Sequence, residues 1–375
     1  MGRPLFVFGT LIHPPLLEAV VGDAAHLTLT PARLTGYRVS GVAGGSFPGI
    51  ESDPDCFADG MIIDGLRAAD RARLDYYEKA FDYAREGALL ADGRQVDVYL
   101  PAQDTWTLRG AWSLEDWIRD ESEISLRAAR EIMEYIGRKS PAETGRMFPM
   151  IRARAWSSIN ARKSRHGADT LHGRVTVTRH ERPYAGYFAV DEFVLKHERF
   201  DGSMSQEVLR AVFRAPDAAL VLPYDPVRDR VLLVEQIRMG PLARGDRSLW
   251  QLEPVAGRLD PGEAPQDAAR REAQEEAGLE IGEMWPIAET YCSPGNSSEF
   301  YYIYLGFADL PDRAAGTGGL EAEHEDIRSH LLSFDALMMM CDAQRAANAP
   351  LVMAAYWLAR HRDRLRREAG IAGLR

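Results

Sequence analysis

The chain has 375 residues, a formal net charge of −11 and a pI of about 5.4. That length makes two domains the natural expectation, and the acidic balance argues against a nucleic-acid polymer as partner, because a phosphate backbone needs compensating Lys and Arg. No run of about 18 apolar residues occurs, so no membrane span is expected.

In chain order, residues 5 to about 108 carry strand and turn signals. Leu5-Phe-Val-Phe8, Tyr37–Val42, Gly60–Ile63 and Gln95–Leu100 are candidate strands. A capping-box pattern at Ser113 opens a helix, a second helix is predicted from Ser125 to Ile136 with a stop at Gly137, and Ser140-Pro-Ala-Glu143 starts another. The segment from about 151 to 168, rich in Arg, Ser and Asn, reads as a linker. Beyond it, Val175–Val177 and Phe188–Leu195 read as strands. Ala218–Leu222 and Val231–Arg238, joined by a turn at Asp225–Asp229, read as a β-hairpin. Strands near Met284–Tyr291 and Glu299–Phe307 follow, then an amphipathic helix from Leu351 to Arg367 with a solvated, arginine-rich face.

The stretch Gly257–Leu279 stands apart. Pro265 to Ala277 reads as one helix, with proline in the first turn and Gly278 just past the end. Glu272, Glu275 and Glu276 are related by three and four positions and share a face. They lie in the last two turns, where the negative end of the helix dipole disfavours acids. A divalent cation removes that penalty and their mutual repulsion. Mg²⁺ suits such a place, because it takes oxygen ligands while keeping waters and substrate phosphates. A backbone carbonyl near Ala256 and the carboxyl of Glu263 can reach the same region. The competing reading is a solvated acidic helix paired with Arg270 and Arg271.

Written as spacing, G-x5-E-x7-REAQEEAGL resembles the Nudix box at every fixed position, with Ala273 small where a larger aliphatic residue is usual. From about Leu171 onward the segments PYAGYF, LPYDPVRDRVLLVEQIR, WQLEPVAGRLDPGE, CSPGNSSEFYY and EAEHEDIR resemble the ADP-ribose pyrophosphatase branch of that family. The resemblance implies Mg²⁺-dependent hydrolysis of ADP-ribose to AMP and ribose 5-phosphate, with Mn²⁺ as an alternative metal. It implies metal ligation by the Ala256 carbonyl, Glu272 and Glu276, supported by Glu275, and a Glu263–Arg271 pair that holds the loop to the helix. Arg238 is the expected phosphate contact, Glu323 the expected base with Glu325 as alternate, and Glu299 and Glu253 match substrate or metal-shell positions. Tyr187 is expected to stack on adenine, and Arg210 to reach the ligand of a partner subunit. The substrate is then a small anionic nucleotide, and the assembly a homodimer through this domain. Alternatives are hydrolysis of another NDP-sugar such as GDP-mannose, and a non-catalytic ADP-ribose-binding module.

The first part resembles the γ-glutamylcyclotransferase-like (AIG2-like) family through Phe6-Val-Phe-Gly-Thr-Leu11, Phe47-Pro-Gly49, Gly60-Met-Ile-Ile63 and Leu74-Asp-Tyr-Tyr-Glu78. This implies an anion site at Gly9, Thr10 and Leu11, and Glu78 as acid/base in cyclising γ-glutamyl amines, which would make the chain bifunctional. Phe8 and Ile12 depart from the tyrosine and arginine usual there. Fusions of these two domains have been linked by name to tellurite resistance. The implied fold is α+β with two domains: a small mixed β-barrel over 1–110, a helical bridge and linker over 111–168, and a Nudix α/β/α sandwich over 169–375. Cys56, Cys292 and Cys341 lack metal-ligand spacing, and the N-terminus resembles neither a signal peptide nor a myristoylation site, so a cytoplasmic protein is expected.

Overall fold

The computed structural model describes residues 3–102, 105–163, 170, 172–319 and 325–370. The chain divides into two compact units, Met1–Ser164 and Arg165–Arg375.

Unit 1 is built on a five-stranded sheet. Its strands are β1 (Leu5–Val7), β2 (Thr28–Gly41), β3 (Pro48–Asp64), β4 (Tyr83–Leu89) and β5 (Gln95–Pro101), in the order β2-β3-β1-β5-β4. Only the β1–β5 pair is parallel. The short β1 is central and fully apolar, and Phe6, Ile62, Ile63, Val96 and Val98 are completely buried around it. The expected barrel is not confirmed. The sheet is open, and a single bridge, Leu34 to Leu90, joins the two ends of the strand order.

Among the described residues the α-helices of this unit are α1 (Pro14–Val21), α2 (Ala68–Lys79), α3 (Leu114–Asp120), α4 (Ser122–Glu134), α5 (Pro141–Arg146) and α6 (Phe148–Lys163). Two of their starts follow the sequence signals. The Ser113 hydroxyl accepts from the Asp116 N–H at 3.2 Å, and Ser140 and Glu143 form a reciprocal capping box. The linker reading from about 151 is overturned, because α6 is helical to Lys163. Its arginine-rich composition conceals an inward face of Met150, Ile151, Ala153, Ala155 and Ile159, and the buried Arg154 is neutralised by Glu131.

Unit 2 opens with a three-stranded antiparallel sheet of β6 (Val175–Ala185), β7 (Ala189–His197) and β8 (Val208–Arg214). Its second sheet contains β9 (Ala218–Asp225), β10 (Arg230–Ile237), β11 (Trp250–Glu253), β12 (Val255–Arg258), β13 (Met284–Tyr291), β14 (Phe300–Phe307), β15 (Thr317–Gly318) and β16 (Ile327–Ser333). The helices are α7 (Met239–Arg244), α8 (Pro265–Ala277), α9 (Phe334–Asp342) and α10 (Ala349–Glu368). The predicted β9–β10 hairpin closes for only two pairs, Arg230–Asp225 and Val231–Tyr224. Past them the same edge of β9 pairs with β12, the other edge runs parallel to β14 over seven residues, and β10 pairs with β16 and β11. The cause is burial: β9 and β10 are apolar along nearly their whole length and are covered on both faces, as central strands must be. Leu222, Tyr224, Val231 and Leu233 face α9 and α10, whereas α8 packs on β9 and β12. Each fully buried leucine or valine is worth about 1.5–3 kcal/mol.

Candidate active site

α8 begins with Pro265 in its first turn and ends at Gly278, whose φ of 62° is left-handed. Ala268, Ala269 and Ala273 are completely buried and let the helix lie close to β9 and β12. The small Ala273 is therefore a packing residue.

That close approach brings the helix carboxylates onto the Ala256-Gly257 backbone. Glu276 is 2 % exposed, and its Oε2 accepts the Ala256 N–H at 3.2 Å. Alternate residues of an antiparallel strand turn both backbone groups away from the partner, so the Ala256 carbonyl leaves β12 on the same side as its N–H. A Cβ on Gly257 would lie 1.9 Å from the Glu272 carboxyl carbon, so only glycine leaves room for that side chain. Arg271 ties loop to helix. It donates to Glu263 at 3.0 Å, to Glu272 at 2.7 Å, to Glu275 at 2.9 Å and to the Arg258 carbonyl at 3.1 Å.

Burial pushes the Glu272 carboxyl up to about 7, opposed by Arg271, and Glu276 up to about 8, opposed by the Ala256 N–H. Glu325 raises both further. Two crowded carboxyls and a backbone carbonyl are hard oxygen donors of the kind Mg²⁺ takes. Among the described residues no three His, Cys, Asp or Glu side chains are gathered to hold a metal, so an ion here would also draw on backbone, water and substrate oxygens.

Arg238, at the end of β10, is brought to this edge by pairing with the buried Glu253, at 2.9 Å from Nε and 2.6 Å from Nη2. It also feels Glu276 and Glu325. Glu299 accepts from the Tyr301 hydroxyl at 3.1 Å. Burial, then Glu299, and more weakly Glu253 push that phenol upward, which sets Tyr301 within electrostatic reach of both acids. Tyr187 is exposed, with the Arg258 guanidinium 5.2 Å from its ring centroid, so it stands beside the Gly257 loop. Arg210 is not brought in. It is exposed on β8 and donates to the Leu209 carbonyl, and no hydrogen bond or ion pair joins it to the helix carboxylates among the described residues. Glu323 lies outside the described residues.

Unit 1 holds a second constellation. Gly9, Thr10, Leu11 and Glu78 line one cavity of about 110 Å³. Gly9 sits against Pro48, where a Cβ would come within 2.7 Å of Cγ. Glu78, near the end of α2, lines the cavity with part of its surface open to it, yet it is surrounded by protein. Burial alone pushes its carboxyl up to about 8. It has no hydrogen-bond or ionic partner among the described residues. Tyr77, Tyr83 and Tyr99 lie near enough to feel its charge.

Several residues of these sites escaped the sequence reading. Tyr301 falls in the expected Glu299–Phe307 strand, where spacing gives it no role of its own. Arg152 and Phe148 of α6 also line the unit 1 cavity, but they fall at or beside the segment read as linker. A helical apolar spacing at Met147, Ile151 and Ala155 was the available signal.

Comparison with known proteins adds family relationships. The NUDIX domain model matches residues 214–354, and that for gamma-glutamyl cyclotransferase, AIG2-like, matches residues 5–119. A protein of Escherichia coli (strain K12) named ADP-ribose pyrophosphatase is 40% identical over 194 residues, covering 52% of this chain and 92% of that protein. One of the same name from Haemophilus influenzae is 35% identical over 178 residues, 47% of this chain and 81% of its own. A GDP-mannose pyrophosphatase of Escherichia coli O1:K1 / APEC is 32% identical over 154 residues, 41% and 78% respectively.

Proposed function

Because the chain belongs to the Nudix family through its C-terminal unit, we propose that it hydrolyses the pyrophosphate of ADP-ribose to AMP and ribose 5-phosphate with Mg²⁺. The observation that carries this reading is the contact of the Glu272 and Glu276 carboxyls with the Ala256-Gly257 backbone. Glu272, Glu276 and the Ala256 carbonyl would hold the metal, and Glu275 would support it from beyond Arg271. When bound, Mg²⁺ supplies charge neutralisation at the phosphates and lowers the pKa of a coordinated water. Arg238 binds phosphate and passes part of its charge from Glu253 to the substrate as it does so. Glu263, through Arg271, keeps the loop in place. Tyr187 offers an aromatic face to the base, and Glu299, held by Tyr301, faces the substrate. Glu323 is the proposed base, with Glu325 as the alternate.

The same reading takes unit 2 as an α/β/α sandwich and the protein as a cytoplasmic homodimer in which Arg210 serves the partner's site. The exposed apolar residues Val175, Val177, Tyr184, Leu209 and Phe213 on β6 and β8 support such pairing. The free cysteines Cys56, Cys292 and Cys341 suit a reducing compartment. Among the described residues no helix is long and apolar enough to cross a membrane.

A second activity, in unit 1, is favoured by the unpartnered Glu78 in its cavity: a carboxyl that holds its proton at neutral pH suits proton transfer to a γ-glutamyl amide. Product analysis with Mg²⁺ on ADP-ribose, GDP-mannose and γ-glutamyl amides tests both readings. AMP from ADP-ribose is expected, and its absence overturns the first. Release of 5-oxoproline that Glu78→Gln abolishes is expected for the second.

A further inference from the structure

The unit 1 cavity is walled partly by residues beyond the matched cyclotransferase-like segment. Ser125 of α4 and Phe148 and Arg152 of α6 line it together with Glu78. The rest of the wall is dominated by aromatic rings, among them Phe81, which meets Phe148 edge to face at 4.7 Å, and Trp117. In this apolar chamber Arg152 is the one basic group on the lining of the described residues. Its Nη2 donates to Glu121 at 2.9 Å and its Nη1 to Ser46 at 3.2 Å, and its guanidinium carbon lies 5.9 Å from the Phe148 ring centroid. Those bonds engage two of the five guanidinium N–H groups, and the other three have no partner among the described residues. The side chain is 18% exposed, so it is partly desolvated and can form charge-assisted hydrogen bonds with a small anion.

We propose that α4 and α6 complete a ligand site in unit 1, where Arg152 determines specificity by binding a carboxylate on a small ligand with a flat, apolar body, and Glu121 competes for the same guanidinium. This rests on the reading of unit 1 as a ligand-binding unit and is independent of the pyrophosphatase reading. The aromatic walls bind the ligand's body by burial and ring contacts. Glu78, protonated at neutral pH, does not repel the anion. Glu121 holds Arg152 in place, yet it makes anion binding weaker than a free arginine would allow, so removing either partner of the pair has opposite effects.

Isothermal titration calorimetry on the full chain tests this with phenylacetate and its uncharged isostere phenylacetamide. The wild type is expected to prefer phenylacetate by about tenfold, the size of one charge-assisted hydrogen bond. Arg152→Gln removes that preference, Arg152→Lys keeps part of it, and Glu121→Gln enlarges it. A purely structural Arg152–Glu121 pair predicts instead that both neutral variants lower the melting temperature and leave the preference unchanged, and that result overturns the proposal. If wild-type protein binds neither probe, the proposal also fails. Release of 5-oxoproline from γ-glutamyl amides, measured in parallel, separates the two questions. Turnover that depends on Glu78, with a carboxylate preference that does not depend on Arg152, leaves the activity standing and removes only the role of Arg152.

Discussion

Both units raise a glutamate to about 8 by burial, Glu276 in unit 2 and Glu78 in unit 1, but they surround it differently. Glu276 feels Glu272 and Glu325, with Arg238 and the Ala256 N–H to offset them. Glu78 has aromatic rings around it and no partner among the described residues. A raised pKa therefore does not by itself indicate a role. A crowd of oxygen donors suits a cation, whereas a solitary carboxyl in an apolar chamber suits the holding and moving of a proton.

The sharpest way to break this contrast is Glu276→Gln. It replaces a carboxyl that would ionise onto a cation by a weaker, neutral donor, and AMP release from ADP-ribose with Mg²⁺ is expected to fall by about 10²–10³-fold. Undiminished turnover would remove the metal assignment. Gly257→Ala comes next. The new Cβ has to displace the Glu272 carboxyl, and a shift of about 1 Å in such a site costs on the order of 10²-fold in kcat. Wild-type kinetics in a folded variant would show that this close approach is unimportant.

Arg238→Ala should raise KM for ADP-ribose about tenfold through one lost phosphate contact. An unchanged KM would return Arg238 to a purely structural partner of Glu253. In unit 1 the expected effect is on stability. Glu78 holds its proton in the folded chain up to about 8, whereas the unfolded chain releases it near 4.5. As pH rises between those values, unit 1 loses stability, because the folded state binds the extra proton. Hydrogen exchange of unit 1 peptides should show this slope in the wild type and a flatter one in Glu78→Gln. Equal slopes would mean that Glu78 is solvated. The smallest effect is expected at Tyr187: Ala should raise KM a few-fold, about 1 kcal/mol of lost stacking, while Phe should leave it unchanged.

Much of the site was legible because local signals agreed. Pro265, Gly278 and the glutamate spacing specify a helix of the observed length. Caps at Ser113 and Ser140 were readable for the same reason, since a hydroxyl three residues before an acid satisfies the first backbone N–H groups. The β9–β10 hairpin forms as expected but is short, because turn chemistry sets only the residues at the turn. Which strand lies next to β9 depends on what covers its two apolar faces, and that led to β14 and β12. The arginine-rich α6 misled because a buried arginine looks like a solvated one until its partner, Glu131, is known.

The sequence alone determined which side chains share a local face: three glutamates on one helix in one half, and a Gly-Thr-Leu turn in the other. Spacing along a helix or a turn fixes which side chains share a face, and no distant residue is needed to know it. Only the tertiary structure decided that Arg238 is shared with Glu253, that Tyr301 stands beside Glu299, that the unit 1 sheet stays open, and that α6 walls the cavity of Glu78. These depend on burial and on charges brought together from far apart in the chain, and local spacing carries no record of either.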